Sequence, residues 1–277
     1  MTSNATEETA TANTGDRRRI NALKELDLPR YVLLPGDPDR VDLMASQWDE
    51  QKTISLPRGY RAAVGVYKGA RIGAVSTMMG APSLDIILAD LFRLGIDTFI
   101  RVGTCGTLKE DIETGSLIIN DASVRLDGTS HFYVRNEYPA VASHEVTFSL
   151  VDAASSKGYA HRVGTGATSG SFIAGQGRPA FNGFMSLEGE RIFEEMKRAG
   201  VLNFEMETAA FLTLARLYGF RAGSICSVIA NRLTGVWGDN GGITRACEVA
   251  AEAVKNLTQW DLKAKSANRQ NITSQDF

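Results

Sequence analysis

Asn203-Phe204-Glu205-Met206-Glu207-Thr208 is the stretch on which the fold of this 277-residue chain turns. A short apolar strand, Val201 to Phe204, gives way there to a segment in which Ala209, Ala210, Phe211, Leu212, Leu214, Ala215, Leu217 and Tyr218 recur at helical spacing. Gly219 closes that element. Two carboxylates, Glu205 and Glu207, therefore stand at a strand-to-helix junction. In open α/β sheets the C-terminal ends of strands are where small ligands bind. The same carboxylates would also suit the positive end of the helix dipole and do nothing more, and the stretch alone does not separate these roles.

Two earlier stretches have the same character. Tyr31-Val-Leu-Leu-Pro35 is an apolar run ending in Gly36-Asp-Pro-Asp-Arg40, after which Val41, Leu43, Met44 and Trp48 suggest a short helix. Gly36 lets the backbone approach a ligand, and Arg40 projects from a first helical turn whose N–H groups favour an anion. Asp97-Thr-Phe-Ile-Arg-Val-Gly103 is a buried strand followed by Thr104-Cys105-Gly106. An arginine inside such a strand is costly unless it meets a counter-charge or a bound anion. Arg101 is thus either an oxyanion ligand, with the Thr104 hydroxyl beside it, or half of a structural ion pair.

Around these junctions strands near 31–35, 62–68, 71–77, 97–103, 116–121, 161–165 and 222–230 alternate with helices near 39–47, 83–94, 145–157, 188–199, 206–218 and 242–262. The alternation predicts a single-domain, three-layer α/β/α fold around a central mixed, largely parallel sheet. The domain is expected over 20–263, with polar tails at 1–19 and 264–277. The glycines of Gly164-Thr-Gly-Ala-Thr-Ser-Gly170 lack the G-x-G-x-x-G spacing and open no helix, which excludes a dinucleotide fingerprint.

Composition removes several function classes. Thirty basic against 32 acidic residues give a net charge of −2, which offers no footprint for nucleic acid or an anionic membrane. No run of about 18 apolar residues exists to span a bilayer. Cys105, Cys226 and Cys247 form no disulfide framework and have no metal-ligand spacing, and His131, His144 and His161 are equally dispersed. No metal site is expected. The N-terminus lacks a secretory signal pattern and free thiols suit a reducing compartment, so a cytoplasmic location is expected. No nucleophile elbow or triad spacing occurs; Cys105 sits in a glycine-flanked turn, without a histidine near it in sequence.

The segments Gly36-Asp-Pro-Asp-Arg40, Ile100-Arg-Val-Gly-Thr-Cys-Gly106, Gly175-Gln-Gly-Arg178 and Phe204-Glu-Met-Glu207, in this order, resemble the successive active-site segments of the nucleoside phosphorylase family. The resemblance runs from about Leu33 to about Leu257. Gln176 with Arg178, Ala122-Ser-Val-Arg-Leu-Asp-Gly128 and Val228-Ile-Ala-Asn-Arg232 are similar to its pyrimidine branch. Purine-specific bacterial relatives usually carry an aspartate near Asn231. The resemblance implies phosphorolysis of uridine or deoxyuridine, with phosphate as co-substrate and no cofactor. It implies that Gly36, Arg40, Arg58, Arg101 and Thr104 bind phosphate, Arg58 reaching the site of a neighbouring subunit. Met206, Glu207 and Thr104 would hold ribose. Cys105, Gly106, Phe172, Gln176, Arg178 and Glu205 would form the base pocket, with Glu207, Arg178 and Arg101 carrying the catalytic charges. A homo-oligomer, a hexamer built from dimers, is the implied assembly.

Departures from that pattern accompany the resemblance. Relatives contact the ribose 5′-hydroxyl with an N-terminal histidine, whereas no histidine precedes His131 here. Gly59 stands where some bacterial relatives place a potassium-binding glutamate, so no monovalent cation is expected. Pro179-Ala-Phe181 and Asn182 are less polar than in relatives. The alternatives within the fold are a purine nucleoside phosphorylase and a water-using nucleosidase. Outside catalysis, the alternative is a nucleoside-binding protein that kept the fold.

Overall fold

The computed structural model describes residues 16–269, 271–273 and 276. Among the described residues ten strands join in one sheet with two regimes. β1 (Tyr31–Pro35), β2 (Glu50–Ser55), β3 (Arg61–Tyr67), β4 (Ala70–Val75) and β5 (Thr98–Thr107) form an open part in the order β5-β1-β4-β3-β2. β6 (Leu117–Leu126), β8 (His161–Ser169), β9 (Asn203–Glu205) and β10 (Arg221–Asn231) curl back onto β5. There β5 pairs with β10, β10 with β6, β6 with β8, β8 with β9 and β9 with β5, so these five strands close on themselves. β7 (Ala140–Val141) is a short addition to β6. The sheet is mixed, as expected. Pairings β1–β4, β1–β5, β5–β10, β6–β8 and β8–β9 are parallel, and β2–β3, β3–β4, β5–β9, β6–β7 and β6–β10 are antiparallel.

Strand alternation sends side chains of β1 to opposite faces, and helices cover both. Leu33, Ile100, Val102 and Ile225 pack with α2 (Pro38–Ala45), α4 (His144–Ser156) and α7 (Gly242–Ser266). Val32, Leu34, Phe99 and Ala222 pack with α1 (Arg17–Glu25), α3 (Ala81–Arg93) and α6 (Thr208–Leu217). α5 (Leu187–Arg198) sets Met196 against Phe204. No helix among the described residues is long and apolar enough to cross a membrane.

Several boundaries differ from the sequence expectation, each for a tertiary reason. β8 runs through the glycine-rich stretch to Ser169, beyond the strand expected near 161–165. A Cβ at Gly164 would come within 2.9 Å of Leu202 and one at Gly166 within 2.7 Å of the Asn120 amide. The glycines let strands close tightly rather than form a loop. β2 was not expected because its Glu-Gln-Lys-Thr-Ile-Ser sequence is an exposed edge with no apolar period. Most of the expected N-terminal tail lies outside the described residues, but Arg17 to Arg19 belong to α1. Asp16 caps that helix through the N–H of Arg18, and Arg19 is buried against Asp90, its Nε donating to Oδ2 at 2.6 Å. The described part of the expected C-terminal tail is docked as well. Arg269 pairs with Asp276 at 2.6 Å, and Ile272 packs on the core beneath α7.

Candidate active site

The loops after β1 and β4, the middle of β5 and the ends of β9 and β10 meet around a cavity of about 470 Å³. Gly36, Arg40, Arg101, Thr104, Cys105, Gly106, Phe172, Gln176, Arg178, Glu205, Met206 and Glu207 all line it. Residues as far apart in sequence as Gly36 and Glu207 are thus brought together. Arg58 is not among the lining residues. It is exposed, on the turn Pro57–Gly59, with a left-handed φ of 66° that favours glycine.

The two carboxylates of the junction part company. Glu205 Oε2 accepts the backbone N–H groups of Glu207 and Thr208, each at 2.8 Å, and Oε1 accepts the Thr168 hydroxyl. It therefore serves the free N–H groups at the start of α6. Glu207 makes no such cap. Its Oε1 accepts the N–H of Gly80 at 2.5 Å, and its Oε2 accepts Nη2 of Arg101. Burial pushes the Glu207 carboxyl above the ordinary carboxylate range, against the pull of the Arg101 guanidinium.

Arg101 is 3% exposed, and its counter-charges are Glu207 and, at 3.4 Å from Nε, Glu205. The ion-pair alternative is thus realised. It leaves the guanidinium incompletely used, because among the described residues Nη1 has no hydrogen-bond partner although it is buried. Arg40, from the first turn of α2, donates Nη1 to the carbonyl of Val102 at 3.1 Å, and burial lowers its pKa. A Cβ at Gly36 would lie 3.2 Å from the carbonyl of Met78, so the two loops touch where only a small residue fits.

Elsewhere in the lining Arg178 donates Nη1 to Gln176 Oε1 at 2.5 Å and to the carbonyl of Phe172 at 2.8 Å. Its guanidinium lies 4.0 Å from the Phe172 ring centre. Burial, helped by the charge of Arg232, pulls Arg178 down to about 10. Gln176 is buried; its Nε2 donates to the carbonyl of Glu205 at 3.4 Å, and its backbone carbonyl accepts Nη2 of Arg232 at 3.0 Å. The Cys105 thiol is pushed well up by burial, which opposes a thiolate role. Among the described residues no group of three or more acids, cysteines or histidines is placed to hold a metal ion.

Sequence reasoning missed Met78, Met79, Ile229, Ala230 and Trp237 as lining residues, and Gly80 as a partner of Glu207. The signals were faint. Met78 and Gly80 take positive φ values of 60° and 88° ahead of the helix opened by Pro82, and Trp237 lies in the run Gly235-Val-Trp-Gly-Asp-Asn-Gly241.

The cavity joins a cationic end, a buried carboxylate and an amide–guanidinium pair, as the motif resemblance implies for a nucleoside phosphorylase. The family model of the phosphorylase superfamily matches residues 30–264, and the chain belongs to that superfamily. Over 248 residues, 90% of this chain and 89% of the relative, it is 48% identical to the uridine phosphorylase of Thermococcus kodakarensis. It is 39% identical over 202 residues to the uridine phosphorylase of Escherichia coli, covering 73% of this chain and 80% of that protein. A guanosine phosphorylase of Halorubrum lacusprofundi is 33% identical over 213 residues, 77% of this chain and 83% of its own length.

Proposed function

We propose that this chain is a uridine phosphorylase, a pentosyltransferase that converts uridine or deoxyuridine and phosphate into uracil and the pentose 1-phosphate. The observation that carries the reading is the set of charged and polar groups gathered in one cavity. Arg40, Arg101 with its Nη1 unpartnered among the described residues, Glu207 bound to Arg101, and the Gln176–Arg178 pair all line it. The similarity to proteins named uridine phosphorylase supports the same substrate.

Breaking an N-glycosidic bond leaves positive charge on the pentose and negative charge on the departing base, while phosphate attacks the anomeric carbon. Fixed charges aimed at those positions are the expected source of rate. In this reading Arg40, Arg101, Gly36 and Thr104 hold phosphate. Glu207, fixed by Gly80 and Arg101, accepts the pentose hydroxyls while Met206 packs on the ring. Gln176 reads the uracil edge, and Arg178 meets a carbonyl oxygen whose charge grows as the base leaves. Arg178 remains a cation at neutral pH, since its pKa stays near 10. Glu205 supports the site indirectly, by capping α6 and fixing Gln176.

The similarity to a protein named guanosine phosphorylase favours a purine reading. Asn231 weighs against it. Its Nδ2 donates to the carbonyls of Lys109 and Ile112, both at 3.0 Å, and its Oδ1 accepts the N–H groups of Leu233 and Thr234. That amide is committed to the loop and supplies no acid for a purine nitrogen. The exposed Arg58 turn, with Met79, Ile86, Phe132 and Tyr133 also exposed, fits a homo-oligomer in which Arg58 completes a neighbour's phosphate site. A hexamer built from dimers is the assembly proposed. Buried free thiols at Cys105, Cys226 and Cys247 fit the cytoplasm. The test is base release from uridine, inosine and guanosine with and without phosphate. Phosphate-dependent release of uracil is expected; equal release without phosphate, or release from the purine nucleosides alone, would overturn the assignment.

A further inference from the structure

Trp237 lines the cavity, yet none of the motif segments contains it. Its backbone is fixed. Beyond β10 the chain folds back so that Trp237 bridges Ala230, with Asn231 N–H donating to the Val236 carbonyl at 2.8 Å and Gly238 N–H to the Ile229 carbonyl at 3.0 Å. Ile229 and Ala230 also line the cavity, so this return forms a wall rather than a free loop. Trp237 is 60% exposed, and its ring centre lies 6.0 Å from the Arg178 guanidinium carbon, which sits 4.0 Å from the Phe172 ring centre. Two aromatic rings thus lie close to the Arg178 guanidinium, which also holds Gln176.

A broad ring held on a fixed backbone, uncovered on the side of a cavity, offers a face to a planar ligand. Contacts between aromatic side chains and nucleobases are worth roughly one to two powers of ten in affinity. They also keep water from a neighbouring charge, which strengthens that charge's action on a developing anion.

We propose that Trp237 is a base-binding residue of this site: its indole and the Phe172 ring form the two aromatic walls between which a pyrimidine enters to meet Arg178. The inference rests on the uridine reading above. It makes Trp237 responsible for the affinity for the base and gives it no part in holding phosphate.

Intrinsic fluorescence provides a direct test, because Trp48 and Trp260 are buried at 7% and 6% exposure and Trp237 is the exposed tryptophan among the described residues. Uracil titrated into the unmutated enzyme should quench the emission of that indole, and the response should vanish in Trp237→Phe. Trp237→Ala should raise KM for uridine by about ten- to a hundred-fold with KM for phosphate unchanged, and Trp237→Phe should recover most of the loss. Wild-type enzyme that cleaves uridine but shows no uracil-dependent emission change overturns this inference and leaves the function standing. So does a Trp237→Ala enzyme with an unchanged KM for uridine. Failure of the wild-type enzyme to cleave uridine in phosphate overturns both. A Trp237→Ala chain that does not fold leaves the titration of the unmutated enzyme and of Trp237→Phe to decide.

Discussion

Glu207 shows most clearly how one side chain joins fold and chemistry. Its carboxylate is buried, receives Gly80 N–H on one oxygen and Arg101 on the other, and leaves its remaining lone pairs to the cavity. A carboxylate so fixed cannot reorient when charge develops beside it, which is what lets it stabilise a transition state more than a ground state. Glu207→Gln keeps the shape and removes the charge. The expected result is a kcat lower by about 10²–10³ with a smaller change in KM for phosphate, in a variant whose melting transition remains cooperative. Steady-state kinetics with each substrate varied in turn would check it, and an unchanged kcat in the folded variant would leave Glu207 a structural partner of Arg101 only. The adjacent alternatives, dipole partner or site carboxylate, were legible at this junction from sequence. Their division between Glu205 and Glu207 was not, because it depends on where Thr168, from β8, and Gly80, from the loop before α3, arrive.

At the scale of elements, the fixing of α7 to the hairpin of β3 and β4 is the contact with the clearest pH signature. Glu252, on α7, accepts the hydroxyl of Tyr67 at 2.9 Å, Nζ of Lys68 at 2.6 Å and Nζ of Lys255 at 2.8 Å. Partial burial would raise its pKa, but hydrogen bonds from Lys255, Lys68 and Tyr67 overcome that and hold it at about 2, against an ordinary 4.5. Because the folded pKa is the lower, the stabilisation is fully present above about pH 4.5 and is lost as pH falls from there towards 2. Glu252→Gln should therefore melt below the wild type at neutral pH, with the difference shrinking through that acid window. A melting-temperature difference independent of pH would show that the carboxylate's charge contributes nothing. The elements themselves were largely visible in the sequence, since apolar periodicity marks α3, α4, α6 and α7 and the buried runs mark β1 and β5. β2 and α1 were not, because an edge strand and a helix anchored by the Arg19–Asp90 pair carry little apolar signal.

At the scale of the whole molecule Arg58 stands apart from the cavity of its own chain. It is exposed and outside its own cavity, yet its turn borders that cavity, since a Cβ at Gly59 would touch Met78 at 3.6 Å. Its left-handed backbone is an unfavourable conformation for a side chain of that size, a strain that tends to persist where function maintains it. If Arg58 serves a neighbouring subunit, Arg58→Ala and Glu207→Gln chains should each be nearly inactive alone. Dissociated and reassembled together, they should regain activity, because some mixed sites then receive an intact Arg58 from one chain and an intact Glu207 from the other. No recovery in oligomers shown to be mixed would contradict a shared site.

The sequence by itself determined the α/β class and the order of most elements, which are written locally as apolar periods and the glycines and caps that end them. Part of the cavity lining was also legible: Arg40, Arg101, Glu205 and Glu207 stand out as charges where apolar residues would otherwise stand, whereas Phe172, Gln176 and Arg178 were reached through the motif resemblance and Met78, Met79, Ile229, Ala230 and Trp237 were not reached. Tertiary structure alone decided that β5, β10, β6, β8 and β9 close on themselves, since strand pairing is a property of two distant segments and no period in either announces the partner. The same closure decided that Arg101 is tied to both carboxylates and still keeps Nη1 free, and that Trp237 stands over Arg178. The physical reason is common to all three: local sequence sets which groups are available, and only the packing of segments far apart in the chain sets the few ångströms at which charges and rings act on one another.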